Sequence, residues 1–325
     1  MTEVDLDVQS STEDVTKALR EDVRAGLTAA RKWLPPKWFY DARGSELFEA
    51  ITELPEYYPT RSEREILTRE AGEVARVTGA HTLVELGSGS SEKTRLLLDA
   101  FTEHGTLAAF VPLDVSESAL AEAAEAITAD YPKLTVRGVV GDFTENLDLL
   151  PGEQPRVVAF LGGTIGNFHP AERAKFLSSV RDVLEPGEWL LLGTDLVKDR
   201  ETLEKAYDDS AGVTSDFNHN VLRVINTRLG ADFAVDDFAH ESYWDEEAEW
   251  VEMRLRAKRG MRVRIPGADL EVTFDEGEYV RTEISAKFRP EGIGAELEAA
   301  GFVTERWWTD AANRYGVTLA RSARA

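Results

Sequence analysis

The chain has 325 residues, 42% of them hydrophobic, and its 60 acidic and 37 basic residues give a formal net charge of −23. The length suggests about two domains, and the charge disfavours nucleic acid and anionic membranes as partners because both attract basic surfaces. The absence of cysteine excludes disulfides, thiolate metal sites and cysteine nucleophiles.

The first part of the chain predicts helices and loops up to about residue 60, and 62–78 predicts an amphipathic helix. Short apolar runs then alternate with helical stretches. The predicted strands are 82–86, 108–113, 135–140, 156–161 and 189–194, and the predicted helices between them are 92–102, 117–131 and 170–184. This alternation indicates an α/β fold with a doubly wound, Rossmann-like parallel sheet.

The alternation stops after Asp195, where the sequence becomes polar and aromatic. The predicted elements that follow are helices at 200–207 and 213–229, antiparallel strands at 249–257, 261–265, 270–274 and 278–286, a helix at 290–300, and closing strands at 302–308 and 315–321. We therefore expect a sheet domain formed by 62–197 with 288–325. A second, α+β domain formed by 1–61 with 198–287 would bind the substrate.

A glycine turn containing Gly87 and Gly89 joins the first predicted strand to the next helix. Glycines there let a backbone approach a ligand closely, although a lone pair of glycines does not identify the ligand. Dinucleotide binding expects a third glycine where this chain has Glu92, and a carboxylate there would lie near the anionic pyrophosphate. S-adenosylmethionine has no phosphate, and Glu85 and Lys93 suit its amino and carboxylate groups. The turn thus favours S-adenosylmethionine over a nicotinamide dinucleotide.

Further polar residues follow the next predicted strands. Asp114 is placed to accept both ribose hydroxyls, or alternatively to cap the next helix. Asp142 and Phe143 suit the exocyclic amine and the ring of an adenine. Gly162 and Asn167 follow the fourth strand, where a glycine carbonyl and a side-chain amide can contact an amine. Turn roles are the alternatives, but several such strand ends together predict a nucleoside site beside a methyl acceptor.

A set of longer motifs makes the prediction more specific. They are LPPKWFYD, LPEYYPTR, ELGSGSSEKTR, GDF, FLGGTIGN, LLLGTDLVKD, AYDD followed by AGVTSDFNHNVL, and EISAKFRPE. From about Ala18 to the C-terminus the chain resembles the histidine-specific methyltransferases of ergothioneine biosynthesis. The resemblance implies trimethylation of the α-amine of L-histidine to hercynine, with S-adenosylmethionine as methyl donor. The acidic start before Ala18 lies outside it.

The resemblance also implies site residues, matched motif by motif. Those that would hold the methyl donor are Gly87, Lys93, Asp114, Asp142 and Phe143. Those that would hold histidine and its mono- and dimethylated intermediates are Tyr57, Asn167, Tyr207, Met253, Glu283 and Ser285. In the family's pattern Asn and Tyr hold the carboxylate, Glu and Ser bond the imidazole, and Met lines the ring. We take Tyr57 and Asn167 as the catalytic residues and Gly162 as a further contact of the substrate.

Several alternatives stay open at this stage. Tyr40 and Phe48 are candidate walls for a trimethylated cation, but ordinary packing explains them equally well. Glu283 could be an exposed acid on an edge strand. The chain could methylate another small amino acid or amine, bind S-adenosylmethionine without catalysis, or be a nicotinamide oxidoreductase. Histidine spacing predicts no metal site. The absence of cysteine and of a signal sequence fits a cytoplasmic protein, and a monomer is expected because one chain holds both binding halves.

Overall fold

The computed structural model describes residues 5–8, 12–89, 91–144, 147 and 152–323. The chain divides into two compact units. The sheet unit comprises Met1–Gln9, Pro59–Val197 and Lys287–Ala325, and the second unit comprises Ser10–Tyr58 and Lys198–Ala286. Residues 1–61 were expected to lie wholly in the second domain, whereas the described strand Asp5–Val8 and residues 59–61 group with the sheet unit.

The described part of the chain forms the following elements. The helices are α1 (Thr12–Leu27), α2 (Ala42–Thr52), α3 (Tyr58–Thr78), α4 (Thr94–His104), α5 (Glu117–Asp130), α6 (Pro170–Val183), α7 (Arg200–Ala206), α8 (Val213–Leu229) and α9 (Pro290–Ala299). The strands are β1 (Asp5–Val8), β2 (Thr82–Leu86), β3 (Ala109–Asp114), β4 (Thr135–Val140), β5 (Arg156–Phe160), β6 (Trp189–Asp195), β7 (Phe238–Asp245), β8 (Trp250–Ala257), β9 (Met261–Ile265), β10 (Leu270–Phe274), β11 (Tyr279–Ala286), β12 (Phe302–Thr309) and β13 (Tyr315–Ser322). Within this part, no helix combines the length and apolarity that crossing a bilayer requires.

The sheet unit contains an eight-stranded sheet in the order β1-β4-β3-β2-β5-β6-β13-β12. The strands from β1 to β6 run parallel, while β13 runs antiparallel to both β6 and β12. The order reverses at β2, which pairs with β3 on one side and β5 on the other. Ligands of such sheets bind at the carboxyl ends of the strands beside this reversal. The mixed α/β fold with a largely parallel sheet confirms the predicted fold class.

Strand β1 was not expected from the sequence, which predicted only helices and loops before about residue 60. It pairs in parallel with β4, and Leu6 lies opposite Gly138. A Cβ atom on Gly138 would come within 2.6 Å of the Leu6 side chain, so the glycine makes room for the added strand. Residues 1–4 and 9–11 of the same acidic segment lie outside the described residues.

The second unit combines α1, α2, α7 and α8 with two small antiparallel sheets. One sheet has the order β11-β8-β7, and the other pairs β10 with β9. Their apolar faces share one core with α8, which contributes the buried side chains Phe217, Val221 and Ile225. The sequence predicted β8 to β11 but not β7, whose residues alternate too weakly in polarity to stand out.

Candidate active site

The glycine turn between β2 and α4 is held against the end of β3. The Gly87 and Ser88 amides donate to the Leu113 carbonyl at 2.8 and 3.2 Å. Gly87 and Gly89 have φ values of 69° and 50°, a left-handed conformation that favours glycine. Among the described residues, a Cβ atom on Gly87 would meet only Phe143, at 3.7 Å, and one on Gly89 would meet nothing within 4 Å. The turn therefore leaves space beside its backbone, as a bound nucleoside requires.

Asp114 at the end of β3 accepts hydrogen bonds from two backbone amides. One oxygen accepts from Ser116 N and the other from Gly89 N, both at 2.9 Å. Helix α5 is capped by Ser116, whose hydroxyl accepts from Ala119 N, so the alternative that Asp114 caps this helix is not observed. Burial raises the pKa of Asp114, and the amide donors oppose that rise. Its carboxylate is thus fixed next to the glycine turn.

Asp142 and Phe143 follow β4. One Asp142 oxygen accepts from the backbone N and the hydroxyl of Thr144, at 2.9 and 2.6 Å, which forms a local turn. The Phe143 ring lies 5.2 Å from Phe160 and 6.0 Å from Phe176, measured between centroids. The turn fixes the carboxylate, and the aromatic cluster fixes the ring beside Gly87. An adenine contact at these two residues stays a prediction.

Lys93 forms an ion pair with Glu63, a residue of α3 that the sequence analysis missed. The Glu63 side chain is fully buried, and it also accepts from Gly162 N at 2.9 and 3.0 Å and from the Tyr315 hydroxyl at 2.9 Å. One buried carboxylate thus anchors both the predicted donor-binding lysine and the loop after β5. Within α3, Glu63 precedes the buried Ile66 and Leu67 by three and four residues. An acid on the apolar face of a helix was the signal that could have revealed it.

Glu85, at the carboxyl end of β2, is 4% exposed, and burial raises its pKa to about 8. Its carboxyl group accepts from the hydroxyls of Thr94 and Ser91. At pH 7 this group is therefore mostly protonated. A contact of Glu85 with the amino group of the methyl donor stays a prediction.

The loop after β5 contains Gly162 and Gly163 in the left-handed region, with φ values of 77° and 75°. A short 3-10 helix, Thr164–Asn167, follows and ends at the predicted substrate residue Asn167. Gly162 N is held by Glu63, so the loop is tied to α3. The contacts predicted for Gly162 and Asn167 with the substrate stay predictions.

In the second unit, four aromatic residues form a continuous row. Ring centroids are 5.7 Å apart for Tyr40 and Phe48, 6.2 Å for Phe48 and Tyr57, and 6.3 Å for Tyr57 and Tyr207, each pair edge to face. Phe217 of α8 packs against both Tyr40 and Phe48. The packing role left open for these two residues is therefore observed, and it also brings them into one row with the predicted substrate residues Tyr57 and Tyr207.

The predicted imidazole residues lie on β11, an edge strand that pairs with β8. A β-bulge between Arg281 and Glu283 shifts the register, so Glu283 lies opposite Met253 and Ser285 lies opposite Val251. Met253 and Val251 are core residues of the unit. The bulge therefore turns Glu283 and Ser285 towards the face that carries Met253, because each register step of one residue exchanges the faces of a strand. The sequence pattern alone did not reveal this bulge.

Ser285 is also joined to Tyr207. The Tyr207 hydroxyl and Ser285 Oγ are 2.7 Å apart in a buried hydrogen bond. The structure thus brings together, within the second unit, the aromatic row and the pair from β11. Asn167 and Gly162, the other predicted substrate residues, belong to the sheet unit.

Known proteins resemble the chain over most of its length. A profile described as "Histidine-specific methyltransferase, SAM-dependent" matches residues 19–322. The chain is 54% identical over 308 residues to the "Histidine N-alpha-methyltransferase" of Mycolicibacterium smegmatis, covering 95% of this chain and 96% of the relative. It is 55% identical over 303 residues to the protein of the same name from Mycobacterium tuberculosis, covering 93% and 94%.

More distant relatives share the same region. The "Ergothioneine biosynthesis protein 1" of Neurospora crassa is 32% identical over 302 residues, which cover 90% of this chain and 33% of that longer protein. Among solved structures, the CcbJ methyltransferase of Streptomyces caelestis superimposes with a TM-score of 0.46 at 19% identity, over 79% of this chain and 95% of that one.

The fold and the profile match define an S-adenosylmethionine-dependent methyltransferase. The chain belongs to the histidine-specific methyltransferase family. This confirms the family and the methyl donor that the sequence motifs predicted. The described residues fit this donor, since the glycine turn leaves room at its backbone, and Lys93, Asp114 and Phe143 border the strand ends around it.

Proposed function

We propose that this enzyme methylates the α-amine of L-histidine three times, with hercynine as the product and ergothioneine biosynthesis as its role. The observation that carries the proposal is the arrangement on β11. The bulge there turns Glu283 and Ser285 to the face of Met253, and Ser285 bonds Tyr207 at 2.7 Å. A carboxylate and a hydroxyl on one face are suited to the two nitrogens of an imidazole.

Glu283 and Ser285 account for the choice of histidine. The Glu283 carboxylate would accept from one imidazole N–H. Most other amino-acid side chains cannot supply that donor. Sites built on such hydrogen bonds reject analogues that lack the group, because a desolvated polar atom then remains unpaired. Met253 is 2% exposed and supplies an apolar wall opposite Glu283.

The aromatic row suits the changing charge of the substrate. Each methylation adds apolar surface, and the third leaves a permanent cation on the nitrogen. Aromatic faces stabilise such cations without a counter-charge. Tyr57 and Tyr207 are both buried, each 8% exposed. Tyr207 bonds Ser285 directly, and Tyr57 packs against Tyr207. Their role with the methylated amine is part of this proposal.

In the sheet unit, Gly87, Asp114 and Phe143 would hold the nucleoside and Lys93 the carboxylate of the methyl donor. When bound, S-adenosylmethionine supplies an electrophilic methyl group on a sulfonium. Transfer to a neutral amine moves charge from sulfur to nitrogen, so the main task of the protein is to orient the two reactants. Residues held by backbone amides, such as Asp114, serve this task because their hydrogen bonds are already formed without the ligand.

The proposal has a direct test. The purified chain is incubated with histidine and S-adenosylmethionine, and the product is analysed by mass spectrometry. We expect a product heavier than histidine by three methylene units, with the added methyl groups on the α-nitrogen. Absence of any methylated histidine, with the methyl donor bound, would overturn the proposal and favour a binding module without catalysis.

Two further features belong to the proposal. We expect the enzyme to work as a monomer, since one chain carries the predicted residues for both the methyl donor and the substrate, and to be cytoplasmic. Sedimentation of the purified protein at working concentration checks the first expectation. A stable dimer in that measurement would contradict the expected monomer.

A further inference from the structure

A chain of buried polar side chains in the second unit has no place in the function described so far. It consists of Thr282 on β11, Asn218 on α8 and His240 on β7. Thr282 and Asn218 are fully buried, and the His240 side chain is 3% exposed. Buried polar groups are costly unless each finds a partner, so such a chain calls for an explanation.

The chain of hydrogen bonds is continuous. The Thr282 hydroxyl donates to Asn218 Oδ1 at 2.5 Å, and Asn218 Nδ2 donates to His240 Nδ1 at 2.8 Å. His240 Nε2 donates to the Tyr207 carbonyl at 2.8 Å. The Tyr207 hydroxyl then bonds Ser285, which lies on the same strand as Thr282. The contacts therefore close a ring that begins and ends on β11.

The partners fix the protonation of His240. A carbonyl only accepts, so Nε2 carries the proton, and an amide NH₂ group only donates, so Nδ1 is the acceptor. The amide of Asn218 cannot be turned over, because its Nδ2 also donates to the Arg254 carbonyl at 3.1 Å. A second proton on His240 would face the Asn218 donor.

The charges around His240 agree with a neutral ring. Burial lowers the pKa of His240, and the neighbouring His219 lowers it further. Asp208, at 3.8 Å from Nε2, and Asp209 oppose this effect, as does the hydrogen bond to Tyr207. The neutral imidazole of His240 therefore links the Asn218 side chain to the Tyr207 carbonyl.

The position of Thr282 gives this ring of hydrogen bonds its significance. Thr282 lies between Arg281 and Glu283, at the bulge that turns Glu283 and Ser285 inward. Its hydroxyl also lies 3.1 Å from the Met253 carbonyl on β8, the strand opposite. The hydroxyl has a single proton, which Asn218 Oδ1 accepts in the shorter of the two contacts, so Asn218 is the side chain that holds the bulge.

We propose that the side chains of Thr282, Asn218 and His240 form a positioning network that sets specificity for histidine. It holds the β11 bulge in register and ties it to the backbone of Tyr207. The distances among Glu283, Ser285 and Tyr207 are thereby fixed before substrate binds. The inference deepens the proposed function and rests on it, because it assumes that these three residues contact histidine.

The test compares Thr282→Val with Thr282→Ser. Valine preserves the branched shape that suits a strand but removes the hydroxyl, whereas serine keeps the hydroxyl. The matched control is Thr318→Val on β13 of the sheet unit. Thr318 is also buried, and its hydroxyl has no hydrogen-bond partner among the described residues. Each variant is characterised by kcat and KM for histidine, affinity for the methyl donor by calorimetry, and melting temperature.

We expect Thr282→Val to raise KM for histidine about tenfold, the effect of misplacing one buried hydrogen-bonding group. Its kcat falls less, and its affinity for the methyl donor stays within about twofold of wild type, since that site lies on other residues. Thr282→Ser recovers most of the histidine KM, and Thr318→Val leaves it unchanged. A purely structural role would lower the melting temperature of Thr282→Val without this split between KM and kcat.

Two outcomes separate this inference from the proposed function. If the wild-type chain does not methylate histidine, the proposed function fails and the inference fails with it. If the wild type is active and the histidine KM is equal in wild type, Thr282→Val and Thr282→Ser, only the positioning role is overturned. Nitrogen NMR of histidine-labelled wild-type protein adds a readout that needs no variant. We expect a neutral His240 protonated at Nε2 at pH 7, and a charged or Nδ1-protonated ring would contradict the network.

Discussion

The two units build their sites by different means. In the sheet unit the predicted residue Asp114 is fixed at a strand end by the backbone amides of Gly89 and Ser116. In the second unit the contacts run between side chains that are far apart in sequence, as for Tyr207 with Ser285. Contacts made by backbone amides follow from the fold, so they suit any methyl acceptor that an enzyme of this fold uses. Sites built from side chains carry the choice of substrate, so substitutions in the two units should affect different kinetic constants.

The largest effect is expected from Glu283→Ala in the second unit. The imidazole would lose its charged acceptor, and we expect kcat/KM for histidine to fall on the order of a hundredfold or more. Affinity for S-adenosylmethionine should stay nearly intact, because no predicted donor residue is touched. Steady-state kinetics and calorimetry measure the two quantities. Unchanged histidine kinetics would remove Glu283 from the site.

The pH dependence of the rate tests whether either unit supplies a base. No dedicated base for the amine is evident from the sequence, so the enzyme should select the neutral amine from solution. Reference α-amino groups have pKa values of about 7.7–8.0, and free amino acids can lie higher. We expect kcat/KM for histidine to rise about tenfold per pH unit below the amine pKa and then to level. A flat profile from pH 6 upward would point to a base within the protein.

In the sheet unit, Glu63→Gln should weaken binding of the methyl donor. Glutamine removes the negative charge that pairs with Lys93, and its single accepting oxygen cannot serve Lys93, Gly162 N and the Tyr315 hydroxyl together. We expect the Kd for S-adenosylmethionine to rise on the order of five- to tenfold, an effect typical of a buried polar contact. Calorimetry provides the measurement.

The matched control for this variant is Glu188→Gln. Glu188 is another buried acid of the sheet unit, paired with Arg156 away from the carboxyl ends of the strands. The Glu188→Gln variant should be less stable than wild type but keep its affinity for the methyl donor. Equal Kd values for Glu63→Gln and Glu188→Gln would show that Glu63 has only a structural role.

The smallest effect concerns Glu85 and the pH dependence of stability. Burial raises its pKa to about 8 from a usual value near 4.5. Between these values the folded state binds more protons than the unfolded state, so this group makes stability fall as pH rises. In Glu85→Gln the melting temperature should therefore decline less between pH 5 and pH 8.5 than in wild type. Parallel declines in a thermal melt series would contradict the raised pKa.

The sequence predicted the elements whose signals are local. Strands β2 and β4 begin and end at the predicted residues, because buried strands between glycine or charged turns are marked by their own composition. Strand β1 was missed because four residues with two acids carry no such mark, and only pairing with β4 orders them. The glycine turn and the strand ends belonged to the predictable part for the same reason.

The parts that sequence could not supply depend on distant partners. The position of Glu63 on the apolar face of α3 indicates burial, but its role emerges only when Lys93, Gly162 and Tyr315 converge on it. The bulge at Thr282 changes which face Glu283 occupies, and register is a property of paired strands. The substrate residues of the second unit were predicted through resemblance to a family, because no local pattern distinguishes them.

The central claim is that the second unit selects histidine for methylation at its α-amine. Its most direct test offers the purified enzyme an equimolar pool of the twenty amino acids with S-adenosylmethionine and identifies every methylated product by mass spectrometry. We predict that trimethylated histidine dominates, with mono- and dimethylhistidine as transient species. Methylation of a different amino acid in preference to histidine would contradict the account.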